Sequence, residues 1–144
     1  MTDENKAKAL RILEAFRTCD EATLRELIAP DSYEHYGPKS GPIGPDSAIE
    51  AARWLADALS EQRWDLGNVV AEGDVVVIQA THVGRHTGTM LGIPPTGREV
   101  RTDQVHISRF ADGKVVEHWG VRDDAGLLRQ LQAEPQTAQT GSAR

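Results

Sequence analysis

Arg98-Glu-Val-Arg-Thr-Asp-Gln-Val-His-Ile-Ser-Arg-Phe110, then Ala111-Asp-Gly-Lys114, then Val115-Val-Glu-His-Trp-Gly-Val121, is the stretch that decides the fold. The first run alternates with the period of a strand, which puts Thr102, Gln104, His106 and Ser108 on one face. Four polar groups between apolar neighbours fit either the wall of a polar pocket or the solvated side of the sheet. Asp112-Gly113 signals a tight hairpin turn, since Asp and Gly accept the positive φ such turns need. Val115 to Val121 is then the partner strand. His106 and His118 lie six residues to either side of Asp112, so the hairpin predicts that they approach across it. Trp119 falls on the face opposite His118 and Gly120.

A second hairpin precedes this one. After Trp64, Val69-Val70 lead into a Gly73-Asp74 turn, and Val75 runs on to His86. Met90 to Gly97, with Pro94-Pro95, reads as a loop. The first third of the chain is helical in pattern: Leu10, Leu13 and Phe16, then Leu24, Leu27 and Ile28, recur at three-to-four spacing. Asp20 is a candidate N-cap, Pro30 a candidate stop for the second helix, and Ser32 to Tyr36 a short extended run. Asp46-Ser47 opens a third helix, with Ile49, Ala52, Leu55, Ala56 and Leu59 on one stripe. Asp123-Asp124 cap a last one through Leu127, Leu128 and Leu131. Helices first and hairpins afterwards predict an α+β domain over residues 1–131, a cone-shaped, curved antiparallel sheet wrapped around N-terminal helices. Residues 132–144 are small and polar, as in a disordered tail.

Composition narrows the function. In 144 residues, 16 Lys+Arg face 22 Asp+Glu, a formal charge of −6. Such a chain has no basic surplus with which to neutralise phosphates, which argues against a nucleic-acid or anionic-membrane partner. Cys19 is the single cysteine, so neither an internal disulfide nor a cysteine-rich metal site is available; it is given no role. No long apolar run is present, and Met1-Thr-Asp-Glu-Asn has no signal-peptide character, so a cytoplasmic location is expected. Of five histidines, His82, His86, His106 and His118 fall on predicted strands. His82 and His86, four apart on a strand, would stand about 13 Å apart, too far to share a metal. No metal site is expected.

Several motifs together resemble one family. They are His86-Thr-Gly-Thr-Met-Leu-Gly-Ile-Pro-Pro-Thr-Gly97, Asp103-Gln-Val-His106, Asp112-Gly-Lys114, Glu117-His-Trp119 and Leu127-Leu-Arg-Gln-Leu131, with Pro30-Asp31 and Glu34-His35 upstream. They resemble the SnoaL-like polyketide cyclases of the nuclear transport factor two-like superfamily, in order and over about residues 5 to 131. The resemblance implies a conical α+β barrel, commonly paired as a homodimer or higher oligomer. It also implies cofactor-free ring closure, in which a carboxylate removes a proton beside a carbonyl and the enolate adds to a second carbonyl. His106 matches a histidine that the family places beside its catalytic Asp. The Asp position itself is Gly120.

Candidate residues follow. His106 and His118 are the candidate acid/base pair, a histidine then standing in for the missing carboxylate; alternatively, Gly120 leaves room for a larger ligand. His35, Tyr36, Trp54, His86, Met90, Gln104 and Gly120 are candidates for holding a flat, hydrophobic, polyketide-like substrate. Trp64 is a further aromatic wall, and His82 has no assigned role. Arg101-Thr-Asp103 resembles the Arg-x-Asp strand motif of limonene-type epoxide hydrolases, making Asp103 a third catalytic candidate, with Asp123 as its second acid or else an N-cap. Cofactor-independent hydroxylation and non-catalytic binding are the remaining alternatives to a cyclase or isomerase.

Overall fold

The computed structural model describes residues 2–37 and 39–134. Its elements are α1 (Thr2–Thr18), α2 (Glu21–Leu27), β1 (Ile28–Glu34), β2 (Gly41–Pro42), α3 (Asp46–Ala58), β3 (Leu59–Glu72), β4 (Val75–His86), β5 (Glu99–Ala111), β6 (Lys114–Arg122) and α4 (Asp124–Gln132). Of the tail expected from residue 132, positions 135–144 lie outside the described residues. The six strands form one open sheet in the order β2-β1-β6-β5-β4-β3. No helix of the described chain is long and apolar enough to cross a membrane.

The expected hairpins are present, and local chemistry explains each. Asp112 and Gly113 both take positive φ, 51° and 77°, the conformation a two-residue turn demands. Along β5, Val100, Thr102, Gln104 and His106 are buried, while Glu99, Arg101, Asp103 and Val105 are exposed. Val115 faces inward with Phe110 because the register shifts between Arg109 and Phe110. The Asp20 side chain caps α2 by accepting from the Thr23 N–H, and Asp123 caps α4 by accepting from the Gly126 N–H.

Three features differ from expectation. The sheet carries one parallel pairing, β1 against β6. Parallel neighbours need a long crossover, and everything from β2 to β5 supplies it. The second helix ends at Leu27, before Pro30, which lies inside β1. Finally, β3 begins at Leu59 rather than near Trp64, directly where α3 ends.

Apolar packing closes the cone from three sides. Ala9 and Leu13 of α1 lie on Val76, Ile78, Phe110 and Val115 of the sheet. Leu24, Ile28, Ile49 and Ala52 join α2, β1 and α3 to Ala15 of α1. Leu127 and Leu131 of α4 pack with Leu59, Met90 and Val100 at the other end. Full burial of each leucine here contributes about 1.5–3 kcal/mol. The Arg98 guanidinium donates to the Gln130 carbonyl at 2.7 Å and also bonds Ala133, fastening the last turn of α4 to the start of β5. The helices therefore line a hollow over the sheet instead of filling it.

Candidate functional site

That hollow has a volume of about 650 Å³. Its floor is the inner face of β4, β5 and β6, carrying His82, Thr102, Gln104, His106, Ser108, His118 and Arg122. Its roof comprises Ile12, Leu13 and Phe16 of α1, Ala48, Ala51, Trp54 and Leu55 of α3, and Leu127 of α4. Tyr36, Trp54 and Leu91 line it while remaining exposed, which marks the mouth. The cavity is thus apolar above and polar below, the arrangement a flat hydrophobic ligand with a few polar substituents would fit.

The polar floor is organised by a chain of hydrogen bonds. Glu34 Oε2 lies 2.6 Å from His118 Nδ1, His118 Nε2 lies 2.9 Å from His106 Nδ1, and His106 Nε2 lies 2.7 Å from Gln104 Oε1. The two imidazoles are nearly parallel, with 18° between planes and 5.2 Å between centroids. The proton positions are assigned from the partners. A carboxylate accepts, so His118 Nδ1 carries hydrogen, and the Gln104 amide oxygen accepts from His106 Nε2. In this form the bond between the rings needs one proton more than two neutral imidazoles carry; with the Gln104 amide turned about, its NH2 donates to His106 Nε2, His106 Nδ1–H donates to His118 Nε2, and both rings are neutral. His106 is held neutral, its pKa well below the usual histidine value, first by burial and then by the neighbouring His118 and Arg122. The run is thus complete with both rings neutral, and with the Gln104 oxygen facing His106 it also accommodates one further proton between the rings.

Gly120 makes this arrangement possible. It pairs directly with His106 across the hairpin. A Cβ at this position would stand 2.9 Å from His118 Cε1 and 3.3 Å from His106 Nδ1. Any side chain there would push the two rings apart. Conversely, a ligand atom resting over Gly120 would lie against both rings.

His82 lies farther along the floor. Its Nε2 donates to Gln62 Oε1 at 2.9 Å, and the Trp64 ring covers it at 4.8 Å between centroids. Trp64 also stands edge-on to His106, and its own Nε1 donates to the Leu13 carbonyl at 2.9 Å. Burial pushes the His82 pKa down to about 4, with Arg122 contributing. The unfolded chain takes up this proton near pH 6.5, whereas the folded protein resists it down to about pH 4. Stability is thus fully present above pH 6.5 and falls as pH drops through this window, with His106 acting in the same direction. His82 alone is expected to cost about 3 kcal/mol by pH 4. Urea unfolding at stepped pH checks this: His82→Asn should flatten the acid limb, and an unchanged limb would show that His82 is not its source.

Of the residues proposed from sequence, Tyr36, Trp54, Met90, Gln104, His106 and His118 are brought to the cavity, and Gly120, not itself a lining residue, lies against the two rings. Three others lie elsewhere. His35 is on the outer face, 2.8 Å from Glu117 and stacked flat on Trp119 at 4.3 Å, because strand alternation turns its neighbour Glu34 inward. His86 is completely buried behind the loop that follows it, where its Nδ1 accepts from the Thr96 N–H at 3.2 Å. Asp103 is on the outer face and accepts from the Thr81 hydroxyl at 2.9 Å. Arg101 pairs with Asp65 on that same outer side, and Asp123 is the cap of α4, so the Arg-x-Asp motif is not assembled in the cavity. Sequence reasoning passed over Glu34 as a partner of His118, and over Arg122 and His82. Parity along the strands would have found the last two: Arg122 shares a face with His118 and Gly120, and His82 with Ile78.

A family model described as SnoaL-like polyketide cyclase matches residues 7–131. The chain is 34% identical over 128 residues to aklanonic acid methyl ester cyclase DauD of Streptomyces sp. (strain C5), covering 84% of this chain and 77% of that protein. It is 32% identical over 122 residues to nogalonic acid methyl ester cyclase of Streptomyces nogalater, covering 83% of this chain and 91% of that protein. Among solved structures, AclR of Streptomyces galilaeus, a candidate hydroxylase, superposes with a TM-score of 0.82 at 27% identity, covering 99% and 92% of the two chains.

Proposed function

The chain belongs to the SnoaL-like polyketide cyclase family, and from that premise we propose that it closes a ring on a polyketide ester by cofactor-free acid/base catalysis, with His106 and His118 doing the work of the absent carboxylate. The observation that carries this reading is the hydrogen-bonded run Glu34–His118–His106–Gln104, floored by Gly120 and roofed by apolar side chains.

The chemistry balances without an oxidant. A substrate with its acidic C–H over Gly120 presents that hydrogen to the histidine pair. The pair removes it as a proton, and the C–H electron pair passes into an enolate. The proton is then held between the rings, with the Gln104 amide oxygen accepting from His106 Nε2, and Glu34 offsets its charge. The enolate carbon attacks a second carbonyl of the same molecule, a C–C bond forms, and the carbonyl π pair moves onto oxygen. That oxygen takes the proton back from the pair, which is restored. Base and acid are one unit, so no net proton is consumed. Apolar walls keep bulk water from delivering the proton first.

Nogalonic acid methyl ester, the substrate named by a relative, is the compound to try first. Conversion to a ring-closed product in the strict absence of oxygen is the expected result. A hydroxylated product formed only with oxygen uptake would instead place the chain with hydroxylases, a reading favoured by the fit to AclR. Tight binding without turnover would overturn both.

A further inference from the structure

Arg122 closes β6 at the edge of the cavity floor, on the same face as His118 and Gly120 and directly across from Gln104 in the β5–β6 register. Other arginines in the sheet are engaged: Arg101 with Asp65, Arg109 with Asp74 and Glu117, Arg98 with the end of α4. Among the described residues, Arg122 has neither a hydrogen-bond partner nor a carboxylate within ion-pair distance. Glu34, the carboxylate deepest on the floor, is committed to His118. The field of Arg122 nevertheless reaches inward, since it disfavours a positive charge on both His82 and His106. Arg122 is exposed at the cavity rim, and a guanidinium without a carboxylate partner at the edge of apolar walls favours an anionic oxygen, to which it can donate two parallel hydrogen bonds.

We infer that Arg122 is a subsite for an ionised oxygen, a phenolate or enolate, on a flat aromatic ligand that lies across Gly120. The inference rests on the ring-closure reading for what the ligand does next, but not for the binding itself. Held at this point, the ligand has its oxygen at the end of β6 and, two residues back along the strand at about 7 Å, a carbon of its ring system over the histidine pair. Arg122 then sets which carbon meets the base. It also favours the anionic form of any acidic oxygen conjugated with the reacting centre, as a group aimed at developing charge does.

A coloured probe tests this without turnover. The dye 1,2-dihydroxyanthraquinone changes its absorption when its phenol ionises, and wild-type protein should bind it as the phenolate ~1 pH unit below the free dye's own transition. Arg122→Gln, once shown by its melting curve to be folded, should bind it about ten-fold more weakly and in the neutral colour. Arg122→Lys should restore the phenolate colour, because the charge returns. The dimethyl ether of the dye, which cannot ionise, should bind wild type and Arg122→Gln alike. Wild type that ignores the dye, or takes it up only in neutral form, overturns the subsite. So does Arg122→Gln with wild-type affinity and colour, even where ring closure proceeds. Should no ring close while the Arg122-dependent colour shift is present, the subsite stands and the acid/base reading falls.

Discussion

Glutamine in place of His118 is expected to lower kcat for ring closure by about 10²- to 10⁴-fold, the usual worth of a positioned acid/base group. Glutamine keeps approximate size and a polar end, so the cavity shape survives and KM should change little. What disappears is the ring that holds the transferred proton between Glu34 and His106. Glu34→Gln keeps the ring and removes its counter-charge, and the proton-loaded pair is then no longer neutralised. Its effect on kcat should have the same direction, together with an altered acid limb of the pH–rate profile. Steady-state kinetics on the ester substrate checks both. Turnover of His118→Gln within about two-fold of wild type would take His118 out of the chemistry.

Gly120→Ala is the second large effect, and it separates geometry from stability. The backbone at Gly120 is not among the positive-φ positions, so alanine meets no backbone strain there. Loss of glycine's conformational freedom in the unfolded chain favours the variant by about 0.4–1 kcal/mol. The new methyl, however, occupies the point 2.9 Å from His118 Cε1 and 3.3 Å from His106 Nδ1. The ring of His118 must give way, and the 2.9 Å bond to His106 is lost. Small displacements of a reacting group cost up to about 10²-fold in rate, so kcat should fall by that order, while the lost ring-to-ring bond, about 0.5–1.5 kcal/mol, offsets the backbone gain and the melting temperature changes little. Imidazole nitrogen chemical shifts provide the independent readout, because breaking the ring-to-ring bond moves them whatever happens to turnover. An alanine variant with wild-type turnover and unshifted imidazole signals would mean that the space over Gly120 is irrelevant to the reaction.

The distribution of what was readable follows from which interactions are local. The Arg98–Val121 hairpin announces itself through Asp112-Gly113 and strict alternation, and with it come the facing pair His106 and His118 and the polar row Thr102, Gln104, His106. The α2 and α4 caps are equally local. The pairing of β1 with β6 has no such signature, because it joins segments separated in the chain by one helix, α3, and the four strands β2 to β5. Without that register, nothing distinguishes Glu34 from His35 as the inward residue, and histidine is the more conspicuous of the two. His86 is hidden for a related reason: the Met90–Ile93 bridge folds the loop back over the end of β4, a contact made by backbone groups rather than by pattern. Arg101 and Asp103 show the opposite failure. Their spacing is suggestive, but their alternation had already put them on the solvent side.

The parallel seam between β1 and β6 also orders events in time. Glu34 and His118 are 84 residues apart, and no shorter route through the chain brings them together. The two C-terminal hairpins have near neighbours to pair with and can form early, whereas closing a loop of this length comes late in folding. A chain emerging from synthesis, or one whose first strand has peeled away, therefore holds His106 beside His118 with no carboxylate behind them. Under the ring-closure proposal the site is completed only when β1 docks, so turnover would report on completed folding more stringently than the sheet's own circular dichroism signal.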